Sequence, residues 1–480
     1  MVLLTLAVPV ARITLDRGLQ RRFAAFPRVR IMIALIVPVY CTAVITLALL
    51  VPEALRMLIL VAAIAAGYHA WQARSSFGIS KRLPPGSLSL LPSGPWRDPQ
   101  YYKKKGDRWG PVFKFRHFAE PAVAIVGLTR IAEFLKSGGD SLVVPPAPFN
   151  AIVPGGFVRY LDGPRHSLMA SALRSAFTTR AIGSSQEHFR QYARLAVEAI
   201  GSGMPVATGI DRYVFSSLLA SFLGVEDGAR LRRLERLFIE ADYRRLGTSG
   251  EDRARAAVDE IIADMRQIAR EGVERPTFLS ELAAAHPDAV ESDEILGNLA
   301  YALHTGRVDA TSLLIWVVAM LGDHPDVTRA VRCRLEHAPG DTTDLADRIV
   351  RETLRLRQSE FLLRRTTGPV DFDGYVIPAG WHVRLCIAES HRLADVFENP
   401  ENFEPDRFLA ALGRTRYAPF GFSPHRCPGD HLARALGQHL VCELAREHDV
   451  VVRDVEPWEF SGFHWRPNSR MQVRLQQAKR

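Results

Sequence analysis

The stretch APFGFSPHRCPGDHLARALG, residues 418–437, sets a single cysteine, Cys427, in an unusual frame. Gly421 and Gly429 bracket it, Phe420 leads in, His425 stands close by, and a helical pattern begins immediately afterwards. A thiolate is a strong soft-metal ligand, but its charge has to be balanced. Backbone N–H groups do this when a loop bends tightly around the sulfur, and glycine permits such a bend. The N-terminus of the following helix adds the positive end of a dipole. The chain has five cysteines, an odd number, and no CxxC pair. That argues against a disulfide scaffold or a zinc site and for a reducing compartment. The frame points to a metal-ligating cysteine rather than a buried structural one.

The rest of the 480-residue chain supplies the context. At 47% hydrophobic it can bury a large core. The formal net charge of +9 comes mostly from dispersed arginines. With no Lys/Arg block interleaved with aromatics, nucleic acid is not expected; anionic lipid or an acidic protein partner fits better. Residues 31–51, IMIALIVPVYCTAVITLALLV, carry no charge and are long enough to cross a bilayer core of about 30 Å. A second apolar run, 57–71, follows PEALR, and arginines and lysines flank the pair on both sides. The run is too long and starts too late for a signal peptide. The expectation is a basic segment (1–30), a membrane anchor read as a helical hairpin (31–73) with both flanks on the cytoplasmic side, a proline-stiffened linker (74–88) and a globular domain (89–480). Within that domain a strand-like patch (110–127) precedes mostly helical patterns (129–357). Short strands follow (364–385), then a loop region and a last helix from about 428. The fold class is mainly α with small β-sheets.

Residues 420–429 resemble the haem-binding signature of cytochromes P450, F-G-x-S-x-[HR]-x-C-x-G. Further stretches agree in order and spacing. RETLRLR (351–357) contains Glu352-x-x-Arg355, a pair on one helix face. NPENFEPDRF (399–408) brings Arg407, which resembles the arginine that joins that pair. LDGPRHSLMASALRSAF (161–177) resembles the family's C-helix region. The resemblance covers essentially everything from residue 84 onward. It implies haem b as cofactor, with Cys427 as axial iron ligand, Phe420 beside the sulfur, and Gly421 and Gly429 shaping the loop. It also implies that His425, His166 and Arg364 contact the haem propionates. Ala170 stands where the family often has an arginine, so one propionate contact is missing or supplied elsewhere.

The distal helix departs from the family pattern. Counting back from Pro325 and from Trp316 at the family's spacing puts Val308 at the position of the usual acid and Asp309 at that of the usual alcohol, a pair that helps deliver protons during oxygen activation. Valine carries no proton. Asp309 can, as a buried acid with a raised pKa, and Thr305, one turn earlier, shares its face. After the Glu352–Arg355 helix, Gln358 and Ser359 replace two common prolines, and Glu360, Phe361 and Leu362 are expected to line the substrate pocket. Glu360 either meets a polar substrate group or pairs with Arg364 or Arg365. The apolar loop at 143–158 is expected to shape access.

The resemblance implies a membrane-anchored monooxygenase, monomeric, acting on a hydrophobic small molecule. Electrons would come from a separate reductase or ferredoxin docking near basic residues such as Arg426 and Arg434. Two other readings stay open. One is a haem-thiolate enzyme that uses no dioxygen, of the peroxygenase, isomerase or dehydratase type, although Arg307 lacks the proline that follows the peroxygenase arginine. The other is a non-catalytic haem or ligand-binding protein.

Overall fold

The computed structural model describes residues 82–478 except 89–96, 118–119, 146–151, 227, 243–248, 338, 359–360, 414 and 461–463. Within residues 1–79, which form a unit of their own, it describes only 57, 60–64 and 67, all helical. The expected hairpin at 31–73 otherwise lies outside the described residues.

The unit from Ser80 onward is built around one buried helix. In chain order the helices are α1 (Tyr101–Trp109), α2 (Leu128–Gly138), α3 (Gly163–Ala176), α4 (Thr179–Ser184), α5 (Gln186–Gly201), α6 (Val206–Leu223), α7 (Gly228–Glu240), α8 (Glu251–Glu271), α9 (Phe278–Ala285), α10 (Asp293–Asp323), α11 (Pro325–His337), α12 (Pro339–Thr353), α13 (Ile387–Ser390) and α14 (Asp430–Glu447). α10 starts where the Ser292 side chain accepts a hydrogen bond from the Ile295 amide, a standard N-cap. It is apolar around nearly its whole circumference, and that drives it into the interior. Among the described residues it is the helix long and apolar enough to cross a membrane, yet 67% of the relevant window is buried within the protein, which makes it core.

A five-stranded sheet stands beside the helices. Its order is β1 (Val112–His117), β2 (Glu120–Val126), β7 (His382–Cys386), β4 (Leu362–Thr366) and β3 (Leu142–Val143). β2 and β7 run parallel; the other neighbours are antiparallel. Alternation sorts the two faces. Val123, Ile125, Val383 and Leu385 pack on one side against α2, and Ala122, Ala124 and Cys386 pack on the other with Tyr102 of α1. The small antiparallel pair β5 (Val370–Phe372) and β6 (Tyr375–Ile377) connects β4 to β7.

The expected class is the observed one. The chain does not finish in a helix, however. After α14, strands β8 (His448–Arg453) and β11 (Gln472–Gln477) pair, and β9 (Glu459–Phe460) pairs with β10 (Trp465–Arg466) between them. These strands are short and half-exposed, so hydrophobic periodicity marks them weakly. Their position follows from contacts with α10: the Trp316 indole donates to the Trp465 carbonyl (2.9 Å), and Trp458 stands edge-on to Trp316.

Candidate active site

Cys427 lies at the end of a tight loop that feeds α14. Its amide donates to the Phe420 carbonyl (3.0 Å), and its sulfur accepts from the Gly429 amide at 3.4 Å. The side chain is exposed towards a cavity of about 640 Å³, which Phe420 and Gly429 also line. The glycines differ. Gly421 has φ +76°, a left-handed conformation in which a side chain is strained, and an added Cβ would lie 3.4 Å from Leu362. Gly429 has φ −85° and leaves ordinary contact space to the sulfur, 3.7 Å. The bend requires only the first.

His166 on α3, His425 on the loop and Arg364 on β4 converge on the same cavity. The imidazoles stack with centroids 3.9 Å apart. Burial, then Arg364, His166 and Arg159, push His425 down to about 3. Burial also lowers His166, with Asp162 opposing, and lowers Arg364. His425 Nδ1 is buried without a hydrogen-bond partner, and Arg364 is buried with its Nη1 donating only to the Leu363 carbonyl (2.7 Å). A buried cation and an orphaned imidazole nitrogen in one place form a receptor for an anion. Ala170 is buried on the cavity wall, and Arg174, one turn further along α3, lines the cavity, as does Arg159. They stand where a missing arginine could be compensated.

Glu352, Arg355 and Arg407 meet as the motif order suggested. Arg355 donates twice to Glu352, at 2.7 Å each, and to the carbonyls of His391, Pro400 and Asn402. Arg407 Nε reaches Glu352 at 3.3 Å. Glu352 and Arg355 are fully buried, so this knot ties α12 to the segment before the cysteine loop.

On α10, Ala302, Thr305, Gly306, Asp309, Ala310 and Leu313 form the stripe that faces the cavity; Val308 is not part of it. The Thr305 hydroxyl donates back to Tyr301 in its own helix (3.0 Å). Asp309 corrects the sequence reading. Its Oδ1 meets Nε2 of His464 at 3.0 Å, and His464 is itself buried on the cavity wall between β9 and β10. Burial works to raise the carboxyl pKa, but His464, then Arg159 and Arg466, more than offset it, so Asp309 sits below its ordinary value. It is an ionised member of an acid–imidazole pair, not a neutral buried acid. Sequence reasoning missed His464, because nothing local distinguishes it.

Phe361 and Leu362 line the cavity as expected, with Val144, Pro145, Phe157 and Val158 from the access loop. Glu360 and Ser359 lie outside the described residues. Arg307 turns away: it forks onto Asp211 of α6 and lies over the Phe215 ring at 4.1 Å. Arg426 and Arg434 are engaged internally, Arg434 with Asp347 at 2.6–2.7 Å and Arg426 with Asp430. They are poorer docking charges than the sequence suggested.

A family model described as cytochrome P450 matches residues 234–468. Abscisic acid 8'-hydroxylase 1 of Oryza sativa subsp. japonica is 26% identical over 386 residues, 73% of this chain and 82% of that protein. Abscisic acid 8'-hydroxylase 2 of Arabidopsis thaliana is 25% identical over 426 residues, 80% and 87% of the two chains. Among solved structures, retinoic acid bound cyanobacterial CYP120A1 superposes with a TM-score of 0.68 at 22% identity, covering 83% of this chain and all of that one. A zebra fish cytochrome P450 structure with abiraterone gives 0.62 at 18%, covering 79% and 100%.

Proposed function

The chain belongs to the cytochrome P450 family, and from that premise we propose that it is a haem-thiolate monooxygenase that oxidises a hydrophobic small molecule with O2 and electrons from a separate redox partner. The observation that carries the reading is the cavity itself. One wall offers a cysteine sulfur held by a backbone N–H, and beside it a buried, unneutralised arginine with two histidines. That donor set suits a haem: a thiolate for the iron, and cations for its carboxylates.

When bound, the haem supplies oxygen activation at an iron held by thiolate. Cys427 would be that ligand, with Gly429 N–H tempering its charge. Arg364, His166 and His425 would hold the propionates, and Arg174 would take the place of the contact absent at Ala170. The chain has no CxxCH attachment motif, which supports non-covalent haem b. Phe157, Leu173, Phe177, Phe222 and Leu313 exclude water from the substrate space. The Asp309–His464 pair holds one exchangeable proton beside that space and replaces the usual acid–alcohol pair; Thr305 keeps its hydroxyl on the helix.

The relatives are named for hydroxylation of abscisic acid and one neighbour for bound retinoic acid, so a hydrophobic carboxylic acid is the preferred substrate class. Membrane anchoring through residues 31–73, with a monomeric catalytic domain (89–480) on the cytoplasmic side, is supported by the uncharged run at 31–51 and by Met57, Val61 and Ile64, which are 58–61% exposed. The peroxide-dependent reading loses ground because Arg307 is forked onto Asp211 and does not line the cavity.

Cys427→Ala tests the assignment. The variant should fold, since the side chain is exposed to the cavity, but the reduced carbon monoxide complex should lose the red-shifted Soret band of a thiolate-ligated haem, and turnover with it. An unchanged band would overturn the assignment.

A further inference from the structure

The cavity extends past the haem-binding wall to the face of the sheet covered by α1, and Arg384 of β7 stands there. Its guanidinium is flanked by two rings, with the Phe361 centroid at 3.6 Å and the Tyr102 centroid at 4.0 Å. Stacking satisfies the faces of a guanidinium but leaves the N–H donors, which lie in its plane. The Cys386 sulfur takes part of that edge, no oxygen acceptor bonds the donors among the described residues, and Nε is buried without a partner. Burial works to lower the pKa of Arg384, but Tyr102, Glu389 and Cys386 more than offset it, so the group stays charged.

Its basic neighbours are provided for. Lys103 pairs with Asp107 at 3.2 Å, His382 with Glu120 at 2.7 Å and Arg392 with Glu401 at 3.3 Å. No carboxylate of the described residues lies within 4.0 Å of Arg384; Glu389, on the same wall, stands beyond that range and has its own buried, unbonded Oε2. A planar cation pre-oriented by two rings, with its edge open to an apolar cavity, matches the fork geometry of a carboxylate. His117, also on this wall, is pushed down to about 4 by burial, then Arg384 and His382, so it is neutral and can donate without adding charge.

We propose that Arg384 is the anchor for the carboxylate of a hydrophobic acid substrate, clamped between Tyr102 and Phe361, with Glu389 as the gate that competes for it. This rests on the monooxygenase reading and names the side chain that would select its substrate class. The anchor fixes one end of the substrate at the sheet while its apolar body lies towards α10, so it sets which carbon is presented for oxidation.

The test uses the ferric holoenzyme titrated with retinoic acid, abscisic acid and palmitic acid and with the methyl ester of each, following the ligand-induced Soret shift. At least one acid should bind tenfold or more tighter than its ester. Arg384→Gln should abolish that preference, Arg384→Lys should retain part of it, and Glu389→Gln should tighten acid binding while leaving ester binding alone. Equal affinity for acid and ester, absence of a shift with every acid, or a preference that survives Arg384→Gln would overturn the proposal. The Glu389→Gln comparison and the wild-type ester comparison remain decisive if Arg384→Gln does not fold. A missing thiolate Soret band in the wild type would instead overturn the monooxygenase reading.

Discussion

Two carboxylates in this protein are each paired to a cation, and they do different work. Glu352 is fully buried and bonded to Arg355 and Arg407, with backbone carbonyls taking the remaining donors of Arg355. Asp309 is bonded to His464, but its side chain is 45% exposed to the cavity. The first pair has no free valence and nothing to do but hold the chain. The second keeps contact with the space where a substrate would lie, and its partner is an imidazole rather than a guanidinium. Saturation of hydrogen bonds, not charge, separates the pair locked in the core from the pair that faces the cavity.

Breaking the knot should have the largest effect. Arg355→Ala leaves buried Glu352 with only Arg407, at 3.3 Å, as its cation and empties the place of a buried guanidinium, at a cost of about 3–5 kcal/mol, read as a fall in the urea midpoint with poor haem incorporation. Arg355→Lys should recover only part, because an ammonium cannot fork. A variant within about 1 kcal/mol of wild type would remove the knot from its structural role.

The same region carries an acid sensitivity. His391 is fully buried, and its Nε2 accepts from the Ala418 amide at 3.0 Å. Burial, then Arg355 and Arg392, lower it from 6.5 to about 3. The unfolded chain therefore binds a proton in this window that the folded chain refuses. Stability from this group is complete above 6.5 and falls by about 1.4 kcal/mol per pH unit below it. Urea midpoints at pH 7 and pH 5 should differ accordingly, and His391→Gln should flatten the difference.

On the distal side, His464→Phe removes the largest influence lowering the Asp309 pKa and leaves burial to raise it. Product formed per reducing equivalent should fall about tenfold or more, and the pH profile should gain an acidic limb as Asp309 begins to take up a proton, while the thermal midpoint moves little. A profile parallel to wild type would mean that the pair does not manage the proton. The smallest effect separates the loop glycines: Gly421→Ala should cost about 1 kcal/mol, and Gly429→Ala less than about 0.5 kcal/mol, both from thermal midpoints.

The cysteine loop, the Glu352–Arg355–Arg407 group and the wall of His166, His425 and Arg364 were legible because each is carried by a short motif at fixed spacing. α10 was anticipated from the family resemblance, and counting back from Pro325 and Trp316 set Val308 at the acid position and Asp309 at the alcohol position; of the two, Asp309 lines the cavity. The protonation of Asp309 was not legible. Burial alone predicts a raised pKa, and the sign reverses because His464, 155 residues away in sequence, and then Arg159 and Arg466 face the carboxylate. Gly429 was read as a bend residue although its backbone needs no glycine. The two arginines suggested for docking were read as free charges because their acids, Asp347 and Asp430, carry no pattern that marks them as partners.

The sequence by itself determined the cysteine and its frame, the mainly helical class with small sheets, the place of the distal helix and the family resemblance. These depend on local geometry and on periodicities that repeat every few residues. Only the tertiary structure decided which charges are neutralised. It gave Asp309 a histidine, Arg307 and Arg434 their carboxylates, and left Arg384 between two rings with an open edge. Electrostatic state depends on distances of a few ångströms between residues far apart in the chain, and those distances exist only after folding.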